Sequence, residues 1–218
     1  FKDYAVTNDT VEVAKIKNLN PGLINSLLKN IIKNKEKINK KKFNQSSVPL
    51  WFIKAVQESR LNLQEIIENI SEEPSLHLVF KNNNLINTFK EEYYKTTDLS
   101  AFLMNGKQVK DLEDYEKGHW WVQDLSSMLP LHLSPEIRSK KVLDMCSAPG
   151  GKAFQAISLN NNVTLNDISL KRIKTLSTNL ERLNFSNKIR NYNALNIPEG
   201  EKFDVIILDS PCSGVGTL

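Results

Sequence analysis

From residue 140 onward, short apolar runs alternate with amphipathic stretches, and this alternation constrains the fold more than any other feature of the chain. KVLDMC reads as a short apolar strand and GKAFQAISL as the helix that follows it. NVTLND is a second strand. SLKRIKTLSTNLERLN then spaces Ile173, Leu176, Leu180 and Leu183 along one helix face. KIRNYNAL is expected as a third strand and FDVIILDS as a fourth, apolar enough to be buried on both faces. Strands that alternate with helices are joined by right-handed crossovers and form a parallel sheet. The expected fold class is therefore α/β, a Rossmann-like half sheet over residues 135–218.

The chain before it is organised differently. GLINSLLKNIIKN at 22–34 places Leu23, Leu27, Ile31 and Ile32 on one helix face, and KNKEKINKKK follows as a lysine-rich stretch ending at Lys42. Such a run is usually a solvated helix end and linker, and otherwise a patch for RNA phosphates. VPLWFIKAVQES starts a new helix with Pro49 in its first turn and an apolar face of Trp51, Phe52, Ala55 and Val56. LNLQEIIENI is a second helix, stopped by Pro74, and LHLVF at 76–80 is a strand. HWWVQDLSSMLPLHL at 119–133 is an amphipathic connector, whose Trp120 and Trp121 either stack on bases or, the favoured reading, pack against the following domain. Three regions are expected: helical residues 1–45, a helical and small α/β region over 46–134, and the half sheet from 135.

Composition sets outer limits. The net charge of +4 is compatible with a nucleic-acid partner without pointing to one. No run approaches the roughly 18 apolar residues of a membrane span. FKDYAVTNDTVEV is not patterned as a signal peptide. Cys146 and Cys212 are the only cysteines, so reduced thiols and a cytoplasmic location are expected. His77, His119 and His132 are scattered, and no Cys/His spacing resembles a zinc site, so no metal is expected.

The loop after the first strand, DMCSAPGGKAF, decides among ligands. A phosphate-binding loop requires G-x-x-x-x-G-K-[ST]. Here Cys146 stands where the first glycine belongs and Ala153 where the magnesium-binding hydroxyl belongs. A dinucleotide fingerprint needs G-x-G-x-x-G, and Ala148-Pro149-Gly150-Gly151 does not supply it. S-adenosylmethionine carries no phosphate; it needs close backbone approach, backbone groups for its amino-acid end, and an acid after the second strand for its ribose. Asp167 closes VTLND about 20 residues after the loop, where such an acid belongs. Ser169 can cap the next helix, which leaves Asp167 free for the ribose. The fourth strand ends in DSPCSGVG, so Asp209 and Cys212 should face the same crevice as Gly150, beyond the carboxyl ends of neighbouring strands.

DMCSAPGGK followed by LDSPCSGVGT resembles the RNA cytosine-5 methyltransferases of the Sun/Fmu and NOL/NOP group. HWWVQDLSSMLP is similar to the segment these enzymes carry before the methyltransferase domain. GLINSLLKNI and VPLWF resemble the end of the NusB-like RNA-binding domain and linker of the bacterial small-subunit ribosomal RNA enzymes. The resemblance implies S-adenosylmethionine as cofactor and ribosomal RNA as partner. It implies that Cys146, Ser147, Ala148, Pro149, Gly150, Gly151 and Lys152 wrap the methionine moiety, and that Asp167 takes the ribose. Asn193 stands where relatives often carry an acid toward the adenine, and Asp209 borders both cofactor and cytosine. In such enzymes a thiolate adds to C6 of cytosine and makes C5 nucleophilic, which is covalent catalysis. The attacking thiol in the family usually belongs to a Thr-Cys motif after the fifth strand, and Cys212 corresponds to the thiol that assists product release. In the DNA enzymes the matching thiol attacks. With no such motif before Leu218, the expectation is an internal piece of a longer protein that forms the cofactor crevice without completing catalysis. The alternatives are a noncatalytic RNA-binding protein of the same fold, and methylation of transfer RNA.

Overall fold

The structure is a computed structural model that describes residues 3–39, 45–71, 75–104, 108–196 and 200–212. The end of the lysine run, the helix stop at Pro74 and the loop from Ser213 onward lie outside the described residues. The chain divides into two compact units, with the boundary between residues 72 and 73.

The first unit is helical. α1 (Asp3–Ile16) and α2 (Pro21–Lys33) form a hairpin, and Asn20 caps α2 by accepting the Leu23 N–H while Pro21 occupies its first turn. The apolar face expected on α2 is present but exposed: Leu23, Leu27 and Ile31 all stand open. α3 (Lys35–Asn39), α4 (Leu50–Glu58) and α5 (Leu63–Ser71) follow. On α4 the buried face is Ile53 and Val56, with Trp51 and Ala55 exposed, which corrects the expected register. The small cluster of Val48, Ile53 and Ile67, backed by Phe52 and Leu63, sets it. These contacts come from α5 and the preceding turn, and α4's own periodicity does not encode them.

The second unit holds two sheets. β1 (His77–Phe80), β2 (Tyr93–Thr97), β3 (Ser100–Leu103) and β4 (Trp120–Val122) form an antiparallel sheet in the order β2-β3-β1-β4, with α6 (Asn83–Thr88) after β1. The expected connector is thus half strand. β4 completes this sheet, and α7 (Leu125–His132) begins after it, capped by Asp124, which accepts the Ser126 and Ser127 N–H groups. Successive strand residues point to opposite faces, and both faces of this sheet are covered. Leu78, Phe80 and Trp120 enter a core with Ile86, Phe89 and Leu103. Val79 and Trp121 face the other way, into the core of the parallel sheet. Trp120 and Trp121 are 0% and 2% exposed, so packing is their role and base stacking is excluded in this fold.

The parallel sheet comprises β5 (Lys141–Asp144), β6 (Asn162–Asn166), β7 (Ile189–Arg190) and β8 (Val205–Ile207) in the order β7-β6-β5-β8. α8 (Gly151–Ser158) and α9 (Leu170–Arg182) are its crossovers, and α9 buries Leu176, Leu180 and Leu183 as its periodicity predicted. β7 is shorter than the expected KIRNYNAL. The Asn166 side chain exchanges hydrogen bonds with the Tyr192 N–H and C=O, and Asn193 then starts a turn by accepting the Leu195 N–H. β8 is not buried on both faces: Ile207 is buried, whereas Ile206 is 57% exposed. Among the described residues β8 pairs only with β5, so it is an edge strand. No helix among the described residues is long and apolar enough to cross a membrane.

Candidate cofactor and active-site cleft

The loop between β5 and α8 is built from its own polar groups. The Ser147 N–H donates to Asn166 C=O, and the Ser147 hydroxyl donates to Asp144 C=O while accepting the Asn166 N–H, which ties the loop to the end of β6. Gly150 has φ +126°, and a Cβ there would lie 1.9 Å from the Phe154 ring, so only glycine fits. Gly150 is also the residue before α8 and offers no capping side chain. The first turn of α8 therefore presents N–H groups and the positive end of its dipole to the cleft, where Gly151 and Lys152 form the wall.

That cleft has a volume of about 340 Å³ and lies beyond the carboxyl ends of β5 and β8. It brings together Cys146–Pro149, Gly151, Lys152, Asp209 and Cys212, as the sequence predicted. Cys212 is exposed at its mouth. Gly150, Asp167 and Asn193 are not among the lining residues; the Gly150 backbone is turned instead against the Phe154 ring. Asp167 is 1% exposed, with one carboxylate oxygen accepting the Ser169 N–H at 2.9 Å and the other the Ala148 N–H at 3.3 Å. Arg172 covers it, with Nη1 3.5 Å from Asp167 and Nη2 donating to Ala148 C=O. Ser169 caps α9, as predicted, by accepting the Arg172 N–H. Asn193 is exposed and occupied in its turn.

Sequence reasoning missed several groups. Asp144, at the end of β5, is 2% exposed and lines the cleft. Burial pushes its carboxyl up to about 7, helped by the charge of Asp209 and opposed by the Cys146 N–H and Lys152. Burial also raises the Cys146 thiol, together with the charges of Asp167 and Asp144, which disfavours its thiolate. Lys152 donates to Asp209 at 2.8 Å and to the Ser127 hydroxyl at 2.7 Å. Asp124 and Arg172 complete the charged lining. Asp144 stood inside the DMCSAPGGK run, but nothing local marked it as buried, and Arg172 looked like one more charge on an amphipathic helix.

Chemically, the cleft offers helix N–H groups for a carboxylate, two carboxyls for a cationic centre, and a thiol at the mouth. Among the described residues no cluster of three or more His, Cys, Asp or Glu could hold a metal ion.

Residues 130–218 match the sequence model of the family described as 16S rRNA methyltransferase RsmB/F. The chain is 29% identical, over 90% of its length, to the ribosomal RNA small subunit methyltransferase B of Shewanella oneidensis, and it spans 50% of that protein. It is 37% identical to the human 28S rRNA (cytosine(4447)-C(5))-methyltransferase, over 48% of this chain and 14% of that one. The chain thus covers about half the length of its bacterial relative. A crystal structure of a methyltransferase homolog from Pyrococcus horikoshii shares the fold, with a TM-score of 0.57 and 23% identity over 70% of this chain and 55% of that one. Residues 130–218, which hold the loop at 144–152 and the Pro-Cys pair at 211–212, are thus the part of the chain that is similar to the family described as 16S rRNA methyltransferase RsmB/F.

Proposed function

We propose that the protein takes part in S-adenosylmethionine-dependent methylation of cytosine C5 in ribosomal RNA, that of the small subunit, in the cytoplasm. The observation that supports this reading is the convergence, in one cleft, of the loop residues Cys146–Pro149 and Gly151, Asp209 and Cys212. The residues present fit the cofactor. The uncapped start of α8 suits an α-carboxylate, and Asp144 and Asp209 suit the ammonium and sulfonium charges. When bound, the cofactor supplies an electrophilic methyl group.

The chain's own residues do the rest. Cys146 to Lys152 enclose the amino-acid end, and Asp167 is the group for the ribose hydroxyls once Arg172, which lines the cleft and covers it, moves aside. For the adenine end the resemblance points to Asn193. Asp209, held by Lys152, holds the proton at cytosine N3 when a thiolate has added at C6, which keeps the C5 electron pair available. Cys212 is the thiol that assists release of the methylated base. The base must leave its stack to reach such a cleft.

The test is calorimetric titration with S-adenosylhomocysteine, with ATP as control. One-to-one binding of the first and none of the second is expected. A folded chain that binds ATP and not S-adenosylhomocysteine would remove the reading.

A further inference from the structure

Lys152 and Asp209 form an ion pair whose acid is 61% exposed, and a pair of that kind does not by itself hold a long lysine side chain in one place. Yet the Lys152 side chain is only 16% exposed. Its second fixed partner comes from another element: the Ser127 hydroxyl accepts from Nζ at 2.7 Å. Ser127 is itself anchored by its backbone. Its N–H is bonded to Asp124, which caps α7, and the next residue, Met128, is 1% exposed in the core and accepts Gln155 Nε2 through its carbonyl. The neighbouring Ser126 hydroxyl is turned away onto Asp124, so Ser127 alone among the two serines faces the cleft lysine.

We infer that Ser127 is a positioning residue of the cleft: its hydroxyl clamps the Lys152 ammonium, and through Lys152 it aims the Asp209 carboxylate. The start of α7 thereby becomes part of the active-site machinery. Its meaning for catalysis rests on the methyltransferase reading, but the clamp does not. A lysine ammonium has three donors; Ser127 and Asp209 take two of them and leave one for a ligand. Without the hydroxyl, the flexible stem regains its rotamers and Asp209 loses a fixed partner.

The experiment is competitive acetylation of the chain's lysines, read residue by residue by mass spectrometry, with exposed Lys171 as internal reference. Ser127→Ala should raise the relative labelling of Lys152 roughly tenfold, the size expected for one lost hydrogen bond to a charged group. Ser127→Thr keeps the hydroxyl and should restore the wild-type rate, which a merely structural role for the serine would not predict. Asp209→Asn, which removes the other anchor on an exposed residue, should also raise it. Unchanged Lys152 labelling in Ser127→Ala, or no difference between the alanine and threonine variants, overturns the clamp. Titration of the wild-type chain with S-adenosylhomocysteine reports separately on the methyltransferase reading. Failure to bind would remove that reading and leave a clamp seen by labelling in place.

Discussion

Asp144 gives the sharpest test of the cleft's electrostatics. Its carboxyl is 2% exposed and its ionisation is pushed from 3.8 to about 7, first by burial and then by the charge of Asp209. In the unfolded chain it returns to the ordinary value. Below pH 3.8 the group is protonated in both states and costs folding nothing. As pH rises from there to about 7, the unfolded chain releases a proton that the folded chain keeps, so stability falls through that window. At about 1.4 kcal/mol per pKa unit the full loss is about 4 kcal/mol. Asp144→Asn keeps an oxygen for the Cys146 N–H and cannot ionise. The measurement is urea unfolding of both proteins from pH 5 to pH 8. The stability of the variant relative to wild type should grow by about 3 kcal/mol across that range, the other carboxyls cancelling in the difference. Adding Asp209→Asn to both should move the wild-type transition to lower pH, because one source of upward pressure is gone. A relative stability that stays flat from pH 5 to pH 8 would show that Asp144 ionises like a solvated acid, and the buried-acid account of the cleft would be wrong.

Other consequences are checkable with the same equipment. Gly150→Ala combines a positive φ with a Cβ inside the Phe154 ring, and should lower unfolding stability by roughly 2–5 kcal/mol, read from the urea midpoint. Trp121→Ala empties a core site shared with Phe154 and should cost about 3–5 kcal/mol; a near-neutral result would mean that the two sheets do not share a packed core. If Asn193 holds the adenine end, Asn193→Asp should raise S-adenosylhomocysteine affinity by about tenfold, or 1.4 kcal/mol; an affinity within about twofold of wild type would take this exposed residue out of the site.

Much of the site was legible because its signals are local. A serine that caps α9 and the β/α alternation are fixed by neighbours a few residues away, and the structure holds Ser169 and the parallel sheet as read. The pairing of β5 with β8, which brings Asp209 and Cys212 to the loop, is what the switch point of an open parallel sheet leads one to expect. The errors fell where distant groups decide. β7 stops early because Asn166 takes over the backbone of Tyr192, and β8 is exposed on one face because nothing described covers it. Both adjacent tryptophans on β4 were expected to pack against the following domain, but a strand sends them to opposite faces, so Trp121 does so while Trp120 enters the core of the antiparallel sheet. The sequence by itself determined the parallel half sheet and the loop between β5 and α8. Only the tertiary structure decided which acids are buried, that Asp167 sits beneath Arg172, and that a serine from α7 reaches Lys152, because burial and hydrogen bonding between elements depend on contacts that no local periodicity records.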